Sequence, residues 1–262
     1  MHIILRFTTI VVMLCYIQCA FADDKLANEK ATLRIVTTVY SPYSYEERGE
    51  PKGYSVAIIK ALMDNMSLVT DIEVMPWART YKTALNRPNT LIFSIARTPE
   101  REDLFHWVGK LFPMKTYLYI AAHRSDIDIK TLDDVRKYVI AGVIEGAPSK
   151  WLEAQGIRMF NSSGLHGSRI RMLVNDRVDV LLADPMSLEA AMTNSNIEMT
   201  QIKPIMYLPQ PSYDLYFALS KGTDPSYIEA FQNAYQNLVE KGQLQQLTQP
   251  FHERYKHLSI AQ

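Results

Sequence analysis

The stretch 94–101, Ser-Ile-Ala-Arg-Thr-Pro-Glu-Arg, carries the residues best suited to hold a ligand. It follows an apolar run, and Thr98 and Pro99 are typical of the N-cap and the first position of a helix. A helix start presents backbone N–H groups and the positive end of the helix dipole. Arg101 adds a planar fork that can bind a carboxylate through two hydrogen bonds. The pattern predicts a site for an anionic group, unless Arg101 instead forms a surface ion pair with a neighbouring acid.

Signatures of catalysis and of metal binding are missing from the sequence. It contains no nucleophile elbow, no phosphate-binding glycine loop and no His-Glu-x-x-His pair. The histidines are few and far apart in sequence. Both cysteines, Cys15 and Cys19, lie in the N-terminal segment, so the rest of the chain has no thiol nucleophile and no disulfide. We therefore expect no catalytic residue, no bound metal and no cofactor.

The first 22 residues have the composition of a secretory signal peptide. Arg6 precedes an apolar run at 10–17, and the triplet 20–22, Ala-Phe-Ala, is the small-x-small pattern that signal peptidase needs. We expect cleavage after Ala22 and export to the periplasm, without a lipid because neither cysteine follows a small residue. The alternative is an uncleaved membrane anchor, but the apolar run is shorter than the roughly 18–20 residues that span a bilayer.

The overall composition is that of an ordinary globular protein. Hydrophobic residues make up 47% of the 262, enough to bury a sizeable core, and the formal net charge is zero. General nucleic-acid binders carry a basic patch, and no run of four or more lysines or arginines occurs here. We expect a soluble protein outside the cytoplasm that does not bind nucleic acid.

Strands and helices alternate along the chain, which indicates an α/β sheet protein. The predicted strands are 33–38, 72–75, 91–95, 117–121, 138–143, 178–183 and 213–219. Helices are predicted from Ser55 (as a capping residue), after Pro76, through Trp151, at 170–174, at 224–241 and at 243–249. The strand at 117–121 is placed where the chain could cross from one unit to a second.

Several short motifs occur in a characteristic order. They are Tyr40-Ser41-Pro42-Tyr43, Gly53-Tyr54-Ser55-Val56, Pro76-Trp77, Thr98-Pro99-Glu100-Arg101 with Phe105 and Trp107 after it, Gly142-Val143-Ile144-Glu145-Gly146, Arg177-Val178-Asp179, and Asp184 at a strand end. In this order they resemble the family 3 extracellular solute-binding proteins, the amino-acid-binding receptors of ABC importers. The resemblance covers about residues 32–251.

The resemblance implies a two-lobed, periplasmic-binding-protein-like (type II) α/β fold with two segments crossing between the lobes. Lobe 1 would comprise 31–118 and 213–262, and lobe 2 would comprise 119–212. A monomer would close around a small polar, carboxylate-bearing ligand and present it to an ABC-transporter membrane component or a membrane sensor. The alternative is a periplasmic enzyme of the same fold, dehydratase-like, with Glu145 or Asp184 as general acid.

The resemblance also implies roles for individual residues. Arg101 matches the arginine that binds the ligand α-carboxylate, and Asp184 matches the acid that holds the α-ammonium. Tyr40 and Trp77 match the walls around the ligand side chain, and Ser94 matches a polar group at the cleft edge. The alternatives are that the two aromatic residues belong to the core and that Asp184 caps a helix.

The chain departs from the family pattern at several of these positions. Ala96 stands where the family usually has a hydroxyl facing the carboxylate, and 147–148, Ala-Pro, replaces a Gly-Thr-Thr-like turn. Ser55 stands where an aspartate is common. Arg97 adds a cation beside Arg101 and leaves room for a second anionic group on the ligand, unless it is simply an exposed charge.

Overall fold

A computed structural model of the protein describes residues 32–162 and 166–258. The predicted signal peptide, residues 1–22, lies outside the described residues. None of the helices in the described part of the chain is both long and apolar enough to cross a membrane.

Strands of the described residues form two five-stranded sheets and one small hairpin. In chain order they are β1 (Arg34–Thr38), β2 (Tyr45–Glu47), β3 (Glu50–Lys52), β4 (Ile72–Met75), β5 (Thr90–Ala96), β6 (Phe105–Pro113), β7 (Thr116–Ala121), β8 (Ile140–Val143), β9 (Met159–Ser162), β10 (Val180–Ala183), β11 (Ile202–Leu208) and β12 (Asp214–Ser220). The helices are α1 (Tyr54–Asn65), α2 (Trp77–Asn86), α3 (Ala147–Ala154), α4 (His166–Val174), α5 (Pro185–Asn194), α6 (Pro225–Glu240) and α7 (Gln243–Tyr255). Short 3₁₀ helices span Pro99–Leu104, Asp133–Lys137, Met199–Gln201 and Lys256–Leu258.

The first sheet has the order β4-β1-β5-β12-β6. Strands β4, β1 and β5 are parallel, and β12 runs antiparallel to both β5 and β6. Every residue of β5 is buried, as expected for a central strand covered on both faces. Helix α2 packs on β1 and β5, and α6 packs on β6. We call this half of the molecule the first-sheet lobe.

The second sheet has the order β11-β7-β10-β8-β9. Strands β10, β8 and β9 are parallel, and β7 runs antiparallel to its neighbours β10 and β11. Helix α4 packs on β7, β8 and β10 and against α5, while α3 covers β8 and β9. We call this half the second-sheet lobe. It has its own apolar core, with Leu181, Leu173 and Leu188 among the buried members.

Two segments cross between the sheets, at 114–115 and at 209–213. They are hydrogen-bonded to each other: Met114 N donates to Tyr213 O at 3.1 Å, and Thr116 N donates to Ser212 Oγ at 2.8 Å. The arrangement is a two-lobed α/β fold with two crossing segments. The predicted lobe boundary at 118/119 falls inside β7, whose pairing with β11 begins at Thr116. The exact division of the chain into lobes stays a prediction.

The start of α1 corrects one prediction. The helix begins at Tyr54 with Gly53 as its N-cap, and among the described atoms the buried Ser55 hydroxyl has no hydrogen-bond partner, so Ser55 does not cap the helix. Gly53 has φ 119°, and a Cβ there would lie 2.4 Å from the carbonyl oxygen of Tyr43. This position therefore requires glycine for both conformation and space.

Candidate ligand-binding site

A cavity of about 240 Å³ lies between the two lobes. Parallel strands of both sheets end at it, through Thr38 of β1, Met75 of β4, Ala96 of β5, Val143 of β8 and Ala183 of β10. The carboxyl ends of parallel strands are the usual place for a ligand in α/β sheets. The volume is smaller than the roughly 300–1,000 Å³ of sites for drug-sized molecules, so it suits a small metabolite.

Arg101 borders this cavity from the first-sheet lobe. It lies in the 3₁₀ helix Pro99–Leu104, is only 6% exposed, and stacks over Tyr81 and Trp77 at 4.8 and 5.3 Å from the ring centres. Its Nη1 donates to Ala96 O at 3.2 Å. Burial lowers the pKa of Arg101 below its usual value. The burial argues against a surface ion pair, and the guanidinium instead lies against two aromatic rings at the cavity wall.

The carbonyl of Glu145 connects the two lobes across the cavity. It accepts hydrogen bonds from Arg101 Nη2 at 2.9 Å and from Trp77 Nε1 at 2.8 Å. Glu145 follows β8 and has φ 58°, in the left-handed region that non-glycine residues rarely adopt. Such strain persists only where the surroundings hold it and clusters at ligand sites. The Glu145 carboxylate forms an ion pair with Lys150 at 3.0 Å.

Asp184 borders the cavity from the second-sheet lobe. It follows β10, is 4% exposed, and caps α5 by accepting a bond from Ser187 N at 3.0 Å. From the first-sheet lobe, Tyr40 donates its hydroxyl to Oδ2 at 2.5 Å and Tyr43 donates to Oδ1 at 3.4 Å. Burial raises the pKa of Asp184. Hydrogen bonds from Ser187, Tyr40 and Tyr43 lower the pKa, but their effect is smaller than that of burial. Asp184 is thus both a helix cap and a wall of the cavity.

The hydroxyls of Tyr40 and Tyr43 remain protonated donors. Burial, followed by the nearby charge of Asp184, raises the pKa of both far above the usual tyrosine value. Tyr40 itself lines the cavity, as Trp77 does. Tyr43 is fully buried and packs on Phe112 and Phe251, so its ring belongs to the core while its hydroxyl reaches the site.

Ser94 lines the cavity because of a bulge in β5. The pairing of β5 with β12 shifts by one residue there, since Tyr216 pairs with Ile95 and Phe217 pairs with Phe93. Ser94 has φ 58° and its Oγ lies 3.4 Å from Ser44 Oγ. Bulges re-aim side chains near functional sites, and this one turns a hydroxyl from a buried strand toward the ligand space.

Arg97 does not border the cavity. Its guanidinium pairs with the carboxylate of Glu102 and lies 5.5 and 5.2 Å from the ring centres of Trp107 and Tyr216. Successive side chains of an extended segment point to opposite faces. Because Ala96 faces the cavity, its neighbour Arg97 faces away. The placement therefore does not support the predicted contact of Arg97 with the ligand, and it favours the alternative of a partly exposed ion pair.

The sequence analysis missed a second buried arginine of this site. Arg169 on α4 is 2% exposed and lines the cavity. It stands four residues before the buried Leu173, a spacing that puts both on one helix face. That spacing was the available signal, because it places a cation on the apolar side of the helix. Burial lowers the pKa of Arg169 to about 10, so the side chain is still charged at neutral pH.

Comparison with known proteins identifies the chain. It matches the bacterial extracellular solute-binding proteins, family 3, over residues 33–254. The chain belongs to this family. Members of family 3 are extracellular binding proteins, which agrees with the order of motifs and with a cavity lined from two lobes.

Individual relatives are distant. The probable amino-acid-binding protein YxeM of Bacillus subtilis is 23% identical over 143 residues, 52% of this chain and 52% of that protein. The match thus spans about half the length of this curated relative. A histidine kinase sensor domain with similarity to periplasmic binding proteins has a TM-score of 0.73 at 15% identity, covering 85% of this chain and 97% of its own. An ancestral arginine-binding protein bound to arginine has a TM-score of 0.70 at 14% identity, and the match covers 84% of this chain and 97% of the ancestral protein. These structures show the shared two-lobed fold.

In this family 3 protein, apolar residues stand at cavity positions where the family resemblance implies hydroxyls. Ala96, Ala147 and Pro148 all line the cavity. Among the described residues, no cluster of three or more histidines, cysteines or acids is placed to hold a metal ion. Among the described residues that line the cavity, the charged ones are Arg101, Arg169 and Asp184, and several others carry hydroxyls.

Proposed function

We propose that this family 3 protein captures a small carboxylate-bearing, amino-acid-like ligand between its lobes and delivers it to an ABC-transporter membrane component. One observation carries the proposal. The buried cation Arg101 and the buried acid Asp184 border the same cavity from opposite lobes. A zwitterion would satisfy both charges, and each would lose water only when the lobes close. The name of the relative YxeM, a probable amino-acid-binding protein, agrees with this ligand class.

The proposed role is binding rather than catalysis. A dehydratase-like site would need a general acid, for which the sequence offers Glu145 or Asp184. The Glu145 carboxylate is engaged by Lys150, and the Asp184 oxygens accept bonds from Ser187, Tyr40 and Tyr43. The proposed mechanism needs no cofactor, nucleic acid or second subunit. A membrane sensor in place of an importer would use the same closed form.

Ligand binding is expected to compact the molecule. A ligand shifts the balance between open and closed forms only if it binds one of them better, and the bonds from Tyr40, Trp77 and Arg101 to the second-sheet lobe exist only when the lobes meet.

A thermal-shift screen of amino acids and organic acids would find ligands, since a ligand at 100 times its Kd stabilises the folded protein by about 2.7 kcal/mol. Small-angle scattering of the free and saturated protein should then show a smaller radius of gyration with ligand. An unchanged radius at saturation would contradict closure.

We propose further that the chain is exported with a cleaved leader, as suits a family of extracellular proteins. Intact-mass measurement of the exported protein is expected to give a chain beginning at Asp23, without lipid, because the small-x-small triplet ends at Ala22. A mass that includes the first 22 residues, or an added diacylglycerol, would contradict this localisation.

A further inference from the structure

The carboxylate of Asp184 is already hydrogen-bonded within the protein. Among the described residues, Ser187 donates to it through its backbone N–H, at 3.0 Å from Oδ1, and through its side chain. Tyr40 donates to Oδ2 at 2.5 Å, and Tyr43 donates to Oδ1 at 3.4 Å. A carboxylate has about four acceptor positions, and these donors occupy them. A cationic group of a ligand therefore binds Asp184 only by displacing one of these donors.

Tyr40 is the donor that a ligand can displace. Ser187 lies in the first turn of α5, so its bonds to Asp184 are part of the start of that helix. Tyr43 is fully buried in the aromatic core of the first-sheet lobe, which fixes the position of its hydroxyl. Tyr40, in contrast, is half-buried and lines the cavity. Its hydroxyl also comes from the opposite lobe, as a ligand held by that lobe would.

A second acceptor lies beside the hydroxyl of Tyr40. Met114, in the first crossing segment, places its Sδ 3.3 Å from Tyr40 Oη. A thioether sulfur is a weak acceptor, so the hydroxyl bonds the carboxylate when no stronger donor competes for it. Burial raises the pKa of Tyr40, which keeps the hydroxyl a neutral donor. An ammonium group adds the attraction of opposite charges and is the stronger partner for Asp184.

We propose that the Tyr40 hydroxyl competes with the ammonium group of the ligand for Asp184 and so sets the preference of the site for amino acids over acids without an ammonium group. This inference rests on the proposed function and identifies a specificity-determining residue of that site. When an amino acid binds, the hydroxyl turns to Met114. When the ligand has no ammonium group, the hydroxyl stays on Asp184 and the buried carboxylate remains satisfied. Tyr40 thus reduces the cost of binding a plain carboxylic acid.

The test measures the preference, defined as the affinity for an amino acid divided by the affinity for the same acid without its ammonium group. The probe pairs are L-glutamate with glutarate, L-leucine with 4-methylpentanoate, and L-phenylalanine with 3-phenylpropanoate. The pair whose amino acid binds the mature chain most tightly is titrated by calorimetry, the plain acid by displacement. In Tyr40→Phe the preference should rise by about tenfold, because a hydrogen bond to a charged group is lost only with the plain acid.

The preference is independent of how the lobes move. Tyr40→Phe also removes a bond between the lobes, which alters the affinity for both members of a pair. Whether the amino acid binds more tightly or the plain acid more weakly, their ratio changes in the same direction. Tyr235→Phe removes a hydroxyl that bonds the carbonyl of Lys110 away from the cavity and should keep the wild-type preference.

A second variant removes the alternative acceptor. In Met114→Leu the displaced hydroxyl no longer has the sulfur to bond, so the preference should fall by about twofold or more. In the double variant Tyr40→Phe/Met114→Leu the preference should equal that of Tyr40→Phe, because no hydroxyl is left to move. A double-mutant cycle of this kind isolates the coupling between the two side chains.

The sign of the change decides the inference. A lower preference in folded Tyr40→Phe would show that the hydroxyl supports the ammonium contact, and a change of less than about threefold, short of the worth of the lost bond, would show that it does not compete. Either result overturns the inference and leaves the proposed function standing if an amino acid binds in a manner that depends on Arg101. If Tyr40→Phe does not fold, an unchanged preference in Met114→Leu overturns it. Wild-type protein that binds no amino acid would refute the proposed function and the inference together.

Discussion

Replacing Arg101 by alanine is expected to lower ligand affinity by about 30-fold to several thousand-fold, because losing one partner of a buried charge pair costs about 2–5 kcal/mol. The guanidinium is buried at the cavity wall and stacked on Trp77 and Tyr81. It also donates to the carbonyl of Glu145 in the other lobe. The substitution thus removes the anchor for a carboxylate and one bond that holds the closed form. Calorimetric titration with the best ligand from the screen measures the loss.

The controls separate the anchor from general effects of removing an arginine. Arg87, exposed at the end of α2, should tolerate alanine with unchanged affinity. Arg101→Lys keeps the charge but not the planar fork, so its affinity should lie between those of wild type and Arg101→Ala. Melting curves without ligand show whether a variant is folded. An affinity for folded Arg101→Ala within about threefold of wild type, far below the expected cost, would show that Arg101 is not the anchor.

Replacing Asp184 by asparagine is expected to weaken binding of an amino-acid ligand by about 30-fold or more, again through loss of a buried charge partner. Asparagine caps helices about as well as aspartate, and the hydroxyl of Tyr40 can accept a bond from the new amide. The N-terminus of α5 should therefore remain helical in Asp184→Asn, so the variant tests the loss of the negative charge alone. Glutarate, which lacks the ammonium group, should lose no affinity in the variant. Calorimetry with both probes measures the contrast.

Two further variants complete the test of Asp184. Asp176→Asn removes a half-exposed acid that pairs with His123 and should leave both affinities unchanged. Asp184→Ala removes the cap of α5 and the carboxylate that accepts from the Tyr43 hydroxyl, which should destabilise the fold by about 1–3 kcal/mol for each buried group left unpaired. Equal losses for glutarate and for the amino acid in Asp184→Asn would contradict an ammonium contact.

The sequence alone was enough to predict several residues that line the cavity. Apolar runs that end in polar residues identified the strands, and in α/β proteins the carboxyl ends of parallel strands converge. The family resemblance implied that Ser94, Arg101 and Asp184 belong to one site with Tyr40 and Trp77, and all five line the cavity. Local patterns encode where a strand ends, whereas the order of the strands in each sheet depends on long-range pairing.

Edge elements were less visible in the sequence. Strand β11 was missed because Pro204 and a register shift interrupt it and only its two end residues are buried. Proline in a strand is confined to edges and bulges. Strand β6 combines Gly109 and the exposed Lys110 with apolar residues, so it shows neither alternation nor a continuous apolar run. Their pairing partners, not their own patterns, make them strands.

Only the tertiary structure decided which side chains face the ligand and how the lobes meet. The sequence analysis predicted ligand contacts for both Arg97 and Arg101, yet in the structure Arg97 faces away from the cavity and pairs with Glu102. Arg169 lines the cavity because α4 packs on the second sheet with the helix face that carries Arg169 turned inward. The bond between Tyr40 and Asp184 joins residues 144 positions apart. The reason is physical: sequence order sets where a residue lies along its own element, whereas contact across a cleft depends on the packing of two sheets and on the two segments that cross between them.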